Sequence, residues 1–440
     1  MRKPTLLFLV AALCAGIRAA VPVDVASVKG THGMVVAAHP KAAAIGVEVL
    51  KRGGNAIDAA VAVSLAVGVA EPYASGLGGK LMLLYREARS GRTYAVDAMD
   101  ACGSAIDIEA YRKLPDEAHS YGYSAVCVPG LAAGLWAAHQ KWGAKPWADD
   151  VAPAIALARE GFEILPKTRD FFDEQSKKLH RGDAEIARLY LVGGELPAVG
   201  TRLKNEDLAH TMELLAQQGR EGFYRGETAE NIVAASQRGG GVLALADLAG
   251  YEARIVEPLV MEFRGYRLLS APPPANGASL FLPIMKALEA DDFSGGPLRT
   301  AAILDRIGRV WRIVEPQERR LIADSPASRG NFETLISPDS IRAIREKAAA
   351  AAPAGKSSAS LEDGPFYESA MAATTQWMVM DAQGNIACCT QSQSLHFGAG
   401  VVPPGTGVVM NDSMSNFAYA DSESLNFVAP GRRPRSTIAP

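Results

Sequence analysis

The sequence predicts an α/β (α+β) protein on three observations: paired helices from Pro40 to Ala70, a helix-rich middle from Val128 to Ala350, and strand alternation after Thr374. In the first stretch Ala44, Val47, Val49 and Leu50, then Ile57, Ala60, Val61, Val63 and Leu65, recur at helical spacing. Gly53 and Gly54 suit the end of one helix, and Asn55 suits the cap of the next. The loop from Glu71 to Gly79 precedes a strand at Leu81 to Tyr85. Its glycines are able to cradle an anion, but their spacing is neither a P-loop nor a dinucleotide fingerprint, and alone they read as a tight turn.

In the middle, Leu131 to Trp142, Val151 to Phe162, Asn205 to Gln218 and Thr228 to Gln237 carry apolar residues three and four apart and predict helices. Short strands are expected near Val256 to Phe263 and Tyr266 to Leu269, and Ala350 to Ser360 reads as a flexible linker. Beyond it, Thr374 to Met380 and Ile386 to Thr390 flank the turn Asp381-Ala382-Gln383-Gly384-Asn385, which predicts a hairpin. Val408 to Met410 reads as a further short strand.

At 440 residues the chain suffices for two or three average domains or for one large α/β unit. A hydrophobic share of 48% and a charged share of 21% argue against disorder and against a multi-span membrane protein. The net charge of -3 offers no electrostatic reason to expect nucleic acid. Residues 1–20 have the grammar of a secretory signal peptide: Arg2 and Lys3, an apolar run from Leu6 to Cys14, then Ala15, Gly16, Ala19 and Ala20. The run is too short to span a bilayer. The expectation is a mature protein outside the cytoplasm, in a bacterial periplasm, without stable membrane insertion; the alternative is a buried N-terminal helix.

Five cysteines do not make a disulfide scaffold in so long a chain. Cys102 and Cys127 are able to pair in an oxidising compartment, and adjacent Cys388 and Cys389 point to opposite faces of a strand. No cysteine or histidine cluster has metal spacing, and His396 beside Phe397 reads as a loop or packing residue.

Thr374 carries the chemistry. The Thr374-Thr375 pair alone is an ordinary strand opening. If the chain is cut after Ala373, however, Thr374 gains a free α-amine beside its hydroxyl, so one residue holds both nucleophile and base. An α-amine titrates near about 8, and a useful fraction is able to accept the hydroxyl proton at neutral pH. That is amide chemistry without a histidine.

Several motifs in order resemble the γ-glutamyltransferase (glutathione hydrolase) family of N-terminal nucleophile hydrolases. They are Gly53-Gly54-Asn55-Ala56-Ile57-Asp58-Ala59-Ala60, the Glu71-Pro72 loop through Gly79, Val128-Pro129-Gly130 with Gly134-Leu135-Trp136, and Gly222-Phe223-Tyr224. Pro272-Pro273-Pro274, Thr374-Thr375, Asp381 with Gly384-Asn385, and Pro434 to Pro440 complete the series. The resemblance implies a precursor that cuts itself before Thr374. Residues 1–20 are then the signal, 21–373 the large subunit and 374–440 the small subunit, the two chains interleaved in an αββα four-layer sandwich. It implies transfer of a γ-glutamyl group from a small-molecule amide or peptide onto Thr374, then to water or an amino acid or peptide acceptor, with no cofactor.

Carried over residue by residue, the resemblance makes Thr374 the nucleophile and Ser392 its hydroxyl support, where the family has Thr. Ser394 stands for a substrate-holding Asn and Ser413 for a Gln, while Ser436 and Thr437 match a hydroxyl pair that contacts the substrate carboxylate. Two charged readers are replaced. Met99 stands where the family has the Arg that clamps the α-carboxylate, and Asn416 where it has the Asp that pairs with the α-ammonium. Losing one partner of such a buried pair costs about 2–5 kcal/mol, so a free glutamate zwitterion is expected to bind poorly. Lys80 reads as a solvated lysine or as a displaced positive charge. The stretch from Thr374 to Pro440 is shorter than the family's small chain, so the C-terminal strands, and the Gly-Gly pair whose amides form the oxyanion hole, are expected to be missing. The alternatives are an acylase-like amidase of different acyl specificity and a non-catalytic secreted binding relative.

Overall fold

A computed structural model describes residues 28–293, 300–351 and 372–440. The expected signal peptide and all but the first two residues of the expected linker lie outside the described residues.

The fold starts at a capped helix pair. Helix α1 (Pro40–Lys51) ends just before Gly53, whose φ of 81° suits glycine. Asn55 then caps α2 (Ala56–Ala70), its side chain accepting from the Ile57 and Asp58 amides while Asp58 accepts from the Asn55 amide. Apart from Gly68, α2 is buried along its whole length, as expected of a helix that is apolar on every side. Small residues allow this: a Cβ at Gly46 of α1 would lie 2.4 Å from Val63.

Around α2 the chain lays down β1 (Met34–Val36), β2 (Lys80–Arg86), β3 (Thr93–Ala98), helices α3 (Leu131–Trp142), α4 (Trp147–Glu160), α5 (Glu206–Gln218) and α6 (Gly226–Arg238), and β4 (Arg254–Val256). Strands β5 (Leu259–Phe263) and β6 (Tyr266–Ser270) form a separate hairpin, followed by α7 (Gly277–Ala287), α8 (Ala301–Leu321), α9 (Ser328–Leu335) and α10 (Pro338–Ala350). Last come β7 (Ala372–Met380) and β8 (Ile386–Leu395).

Six strands make one antiparallel sheet in the order β1-β7-β8-β2-β3-β4. Helices α2 and α3 pack against one face, and β7 shows why the face is chosen. Ala373, Thr375, Trp377 and Val379 are buried, whereas Thr374, Gln376, Met378 and Met380 are exposed, the period of two dictated by the pleat. Thr374 therefore projects away from the helices. On its side of the sheet Met82, Leu84, Ala95 and Met99 pack with Ala271, Ala275 and Ile438. The β5–β6 hairpin in turn packs Leu259 and Met261 against Leu282, Ile322 and Phe332. Gly33–Pro440 is one compact unit.

The expected helices and the β7–β8 hairpin form with boundaries moved by a few residues. One strand does not: Val408 to Met410 makes only an isolated bridge, Met410 to Gly78, because Val408 and Val409 have no strand alongside to continue the ladder. Strand β8 runs on past Thr390 to Leu395 because its polar end is satisfied internally. Gln391 accepts from Ser64 and Trp377 at 2.6 and 2.7 Å and donates to the Ser64 carbonyl and the Ser75 hydroxyl.

Candidate active site

The β7–β8 register places Ser392 directly across from Thr374. Immediately beyond, a β-bulge shifts the pairing between Ser392 and Ser394, and Ser394 adopts a φ of 79°. A non-glycine residue there carries a cost of about 1–2 kcal/mol, and the bulge turns the Ser394 amide toward the Ser392 hydroxyl. The Ser394 amide donates to Ser392 Oγ at 2.9 Å, and the Thr374 hydroxyl donates to the same oxygen at 3.2 Å. Ser392 then donates its own proton to the carbonyl oxygen of Ala373. One hydroxyl thus joins the attacking oxygen to the carbonyl of the peptide bond that precedes it. As Thr374 Oγ1 approaches the Ala373 carbonyl carbon, Ser392 is placed to take up its proton and to stabilise the developing oxyanion.

Thr374, Ser392, Ser394, Asn416, Ser436 and Thr437 line one cavity of about 670 Å³. Two arginines the sequence had not singled out, Arg319 of α8 and Arg435, also line it, and none of its described lining residues is acidic. Asn276 lines it as well, with its side chain held by buried Glu318 at 3.2 Å.

Ser413 is the predicted site residue that does not reach this cavity. It is buried behind the wall formed by Ser394 and Asn416, and there it meets Lys80. The expectation of a solvated lysine is wrong: Lys80 is 0% exposed. Its Nζ donates to Ser394 Oγ, to Ser413 Oγ at 2.7 Å and to Asp100 Oδ2 at 3.3 Å. Burial pushes the Asp100 carboxyl up to about 6, with the Lys80 ammonium pulling the other way. A lysine opening an otherwise apolar strand was the available signal, but the partners that make it tolerable come from remote segments. Met99 sits in the apolar cluster with Met82 and Ile438, so no cation occupies its place. The Asp97 carboxylate nearby is held by buried Arg433 at 2.8 Å.

The remaining motifs shape the scaffold. A Cβ at Gly78 would lie 2.1 Å from the Val409 carbonyl and one at Gly79 2.3 Å from the Ser392 carbonyl, so these glycines let two backbones touch instead of cradling an anion. Asp381 accepts from the Gln383 and Asn385 amides, the Asn385 side chain and the Ala56 amide, tying the β7–β8 turn to the start of α2. Asp58, His139 and Asp150 bring potential ligand atoms within 4.8 Å of one another. Both Asp58 oxygens already accept backbone amides, however, from Asn55, Ala144 and Lys145. His396 packs against the stacked rings of Tyr73 and Phe171, and burial with two nearby lysines lowers it to about 4. Cys102 and Cys127 are free and buried; Cys388 is partly exposed and Cys389 buried, on opposite faces.

A threonine near the start of a strand, linked through the Ser392 hydroxyl to the preceding carbonyl and bordering a polar cavity, fits the class of N-terminal nucleophile hydrolases. The sequence profile of the family "Gamma-glutamyltranspeptidase" matches residues 42–440, and the chain belongs to that family. It is 33% identical over 430 residues to the glutathione hydrolase proenzyme of Pseudomonas sp. (strain A14), covering 94% of this chain and 74% of that protein. It is 32% identical over 423 residues to the acylase ACY 1 proenzyme of Pseudomonas sp. (strain V22), covering 93% and 74%. Among solved structures it resembles cephalosporin acylase from Bacillus halodurans, with a TM-score of 0.78 and 27% identity over 94% of this chain and 76% of that one. Among the described residues no helix is long and apolar enough to cross a membrane.

Proposed function

We propose that this chain is a proenzyme that cuts itself before Thr374 and then moves a γ-glutamyl or related acyl group from an amide to water or to an amino acid or peptide acceptor. In the first step Thr374 Oγ1 attacks the Ala373 carbonyl, the peptide bond becomes an ester, and water releases a new chain that begins at Thr374. In the second, the freed α-amine takes the Thr374 hydroxyl proton as the oxygen attacks the substrate amide, the amine leaves carrying a proton, and an acyl ester remains for water or an amine to remove. No cofactor enters either step. Cleavage there would leave residues 21–373 in one subunit and start the other at Thr374, the two interleaved in an αββα sandwich, and the N-terminal signal pattern supports export to a periplasm. Ser394, Asn416, Ser436 and Thr437 line the pocket that takes the acyl group, and Ser413 acts from behind them.

The observation that carries this reading is the continuous array Thr374 Oγ1, Ser392 Oγ and Ala373 O. Denaturing electrophoresis tests it. The purified protein is expected to separate into two chains, the smaller beginning Thr-Thr-Gln-Trp by Edman sequencing, and Thr374→Ala to remain whole. A wild-type chain that stays whole overturns the proposal and leaves the binding-relative alternative.

A second reading, an acylase of different acyl specificity, is favoured by the apolar surroundings of Met99 and the neutral amide of Asn416. Both remove charges that would read a glutamate zwitterion.

A further inference from the structure

We propose that Lys80 is a specificity-determining residue whose ammonium occupies, from behind, the Ser394 hydroxyl in the wall of the acyl pocket, so that the site takes acyl groups carrying no ammonium of their own. The proposal rests on the reading of the cavity at Thr374 as an acyl pocket, and names the acyl class it takes.

The argument is a count of donors and acceptors. Each serine hydroxyl offers one donor and two acceptor sites. Ser413 donates to Asp100, an acceptor when ionised. The contact between the Ser394 and Ser413 hydroxyls at 2.9 Å therefore uses the Ser394 proton. Ser413 accepts from Lys80 and Ser394; Ser394 accepts from Lys80 and from Asn416 Nδ2 at 2.9 Å. All six sites are used. Of these three residues only Ser394 and Asn416 face the cavity, and Asn416 turns its amide nitrogen inward toward Ser394. The Ser394 hydroxyl consequently has no free acceptor for a substrate ammonium, the neutral amide oxygen of Asn416 is the acceptor left on this wall, and the ammonium of the Lys80–Asp100 pair lies one hydroxyl behind it.

The rest of the lining agrees. Arg319 and Arg435 line the cavity and none of its described lining residues is acidic, so a cationic acyl group finds no partner carboxylate in the lining, the Glu315 that pairs with Arg319 lying outside it. Asp100, which balances Lys80, is itself 0% exposed, out of reach of anything in the cavity. Asn416 in place of a carboxylate fits the same logic, because an acid there would pair with Lys80 and close the wall.

Glutarate and L-glutamate differ only in the α-ammonium, as do their γ-anilides, and binding can be read without turnover. Isothermal titration of both free acids into Thr374→Ala protein is expected to show glutarate at least about tenfold tighter, a difference of about 1.4 kcal/mol. Wild-type protein is expected to release aniline from glutaryl anilide with the same preference in kcat/KM. In Lys80→Met/Asp100→Asn, which removes the internal ion pair and keeps its volume, the preference is expected to shrink about tenfold. Asn416→Asp alone is expected to restore no γ-glutamyl preference while Lys80 remains. Glutamate binding as tightly as glutarate, or neither acid binding, overturns the proposal even if the double variant fails to fold. A chain that is never cut before Thr374 overturns the nucleophile reading instead, and leaves the titration to judge Lys80.

Discussion

The hydroxyl of Thr374 lies 3.2 Å from that of Ser392, and the Ser392 proton points to the carbonyl of Ala373. In the proposed self-cleavage, proton uptake and oxyanion stabilisation would thus converge on the one Ser392 side chain. Ser392→Ala is expected to slow cleavage by about 100-fold or more, the usual effect of removing one oxyanion donor. Ser392→Thr, which keeps the hydroxyl, is expected to cut at close to the native rate. Band intensities over time on a denaturing gel check both; equal rates for Ser392→Ala and wild type would remove Ser392 from the mechanism.

Gly79 is pressed against the backbone of the same strand, where an added Cβ would meet the Ser392 carbonyl at 2.3 Å. Gly79→Ala must push β8 and displace the Ser392 hydroxyl. Overpacking of this kind costs about 1–3 kcal/mol, and a lower melting temperature together with slower cleavage is the expected outcome. Wild-type cleavage in Gly79→Ala would show that the relay tolerates the shift.

Asp381 accepts four hydrogen bonds, three within the β7–β8 turn and one from the Ala56 amide of α2 at 3.0 Å. Asp381→Ala leaves that buried amide unpaired and unties the turn. A loss of about 2–4 kcal/mol is expected, read as a lower urea midpoint at constant m-value.

Glu71, at the end of α2, is buried, and burial pushes its carboxyl up to about 7 from an ordinary value of 4.5. The folded state therefore binds this proton more tightly than the unfolded state. The stabilisation is fully present below about pH 4.5 and is lost as pH rises through about 7, amounting to about 3 kcal/mol. Glu71→Gln cannot titrate. The difference in unfolding free energy between wild type and variant is expected to change across that window and to be flat above it. A constant difference from pH 4 to pH 8 would show that Glu71 titrates normally.

Local chemistry explains what was legible beforehand. The break between α1 and α2 follows from Gly53, Gly54 and Asn55, because a left-handed glycine and a side-chain cap act within a few residues. The β7–β8 hairpin follows from alternation on both sides of Asp381 to Asn385. Lys80 could not be read this way. Whether a lysine at the head of an apolar strand is solvated or buried depends on Asp100, Ser394 and Ser413, which arrive from three other segments. The same holds for Arg319 and Arg435, brought to one cavity from α8 and the last residues of the chain. Val408 to Met410 fails as a strand for the converse reason, since alternation supplies no neighbouring strand.

The linear order of residues determined the family, the helix pair, the hairpin and the choice of Thr374, since each rests on spacing or on contacts close along the chain. Only the tertiary structure decided that Ser392 spans the Thr374 hydroxyl and the Ala373 carbonyl, and that the cavity wall is backed by an ammonium already paired. Those properties depend on distances between groups far apart in sequence, where burial removes water and leaves each donor and charge to be satisfied by whichever partner the fold delivers.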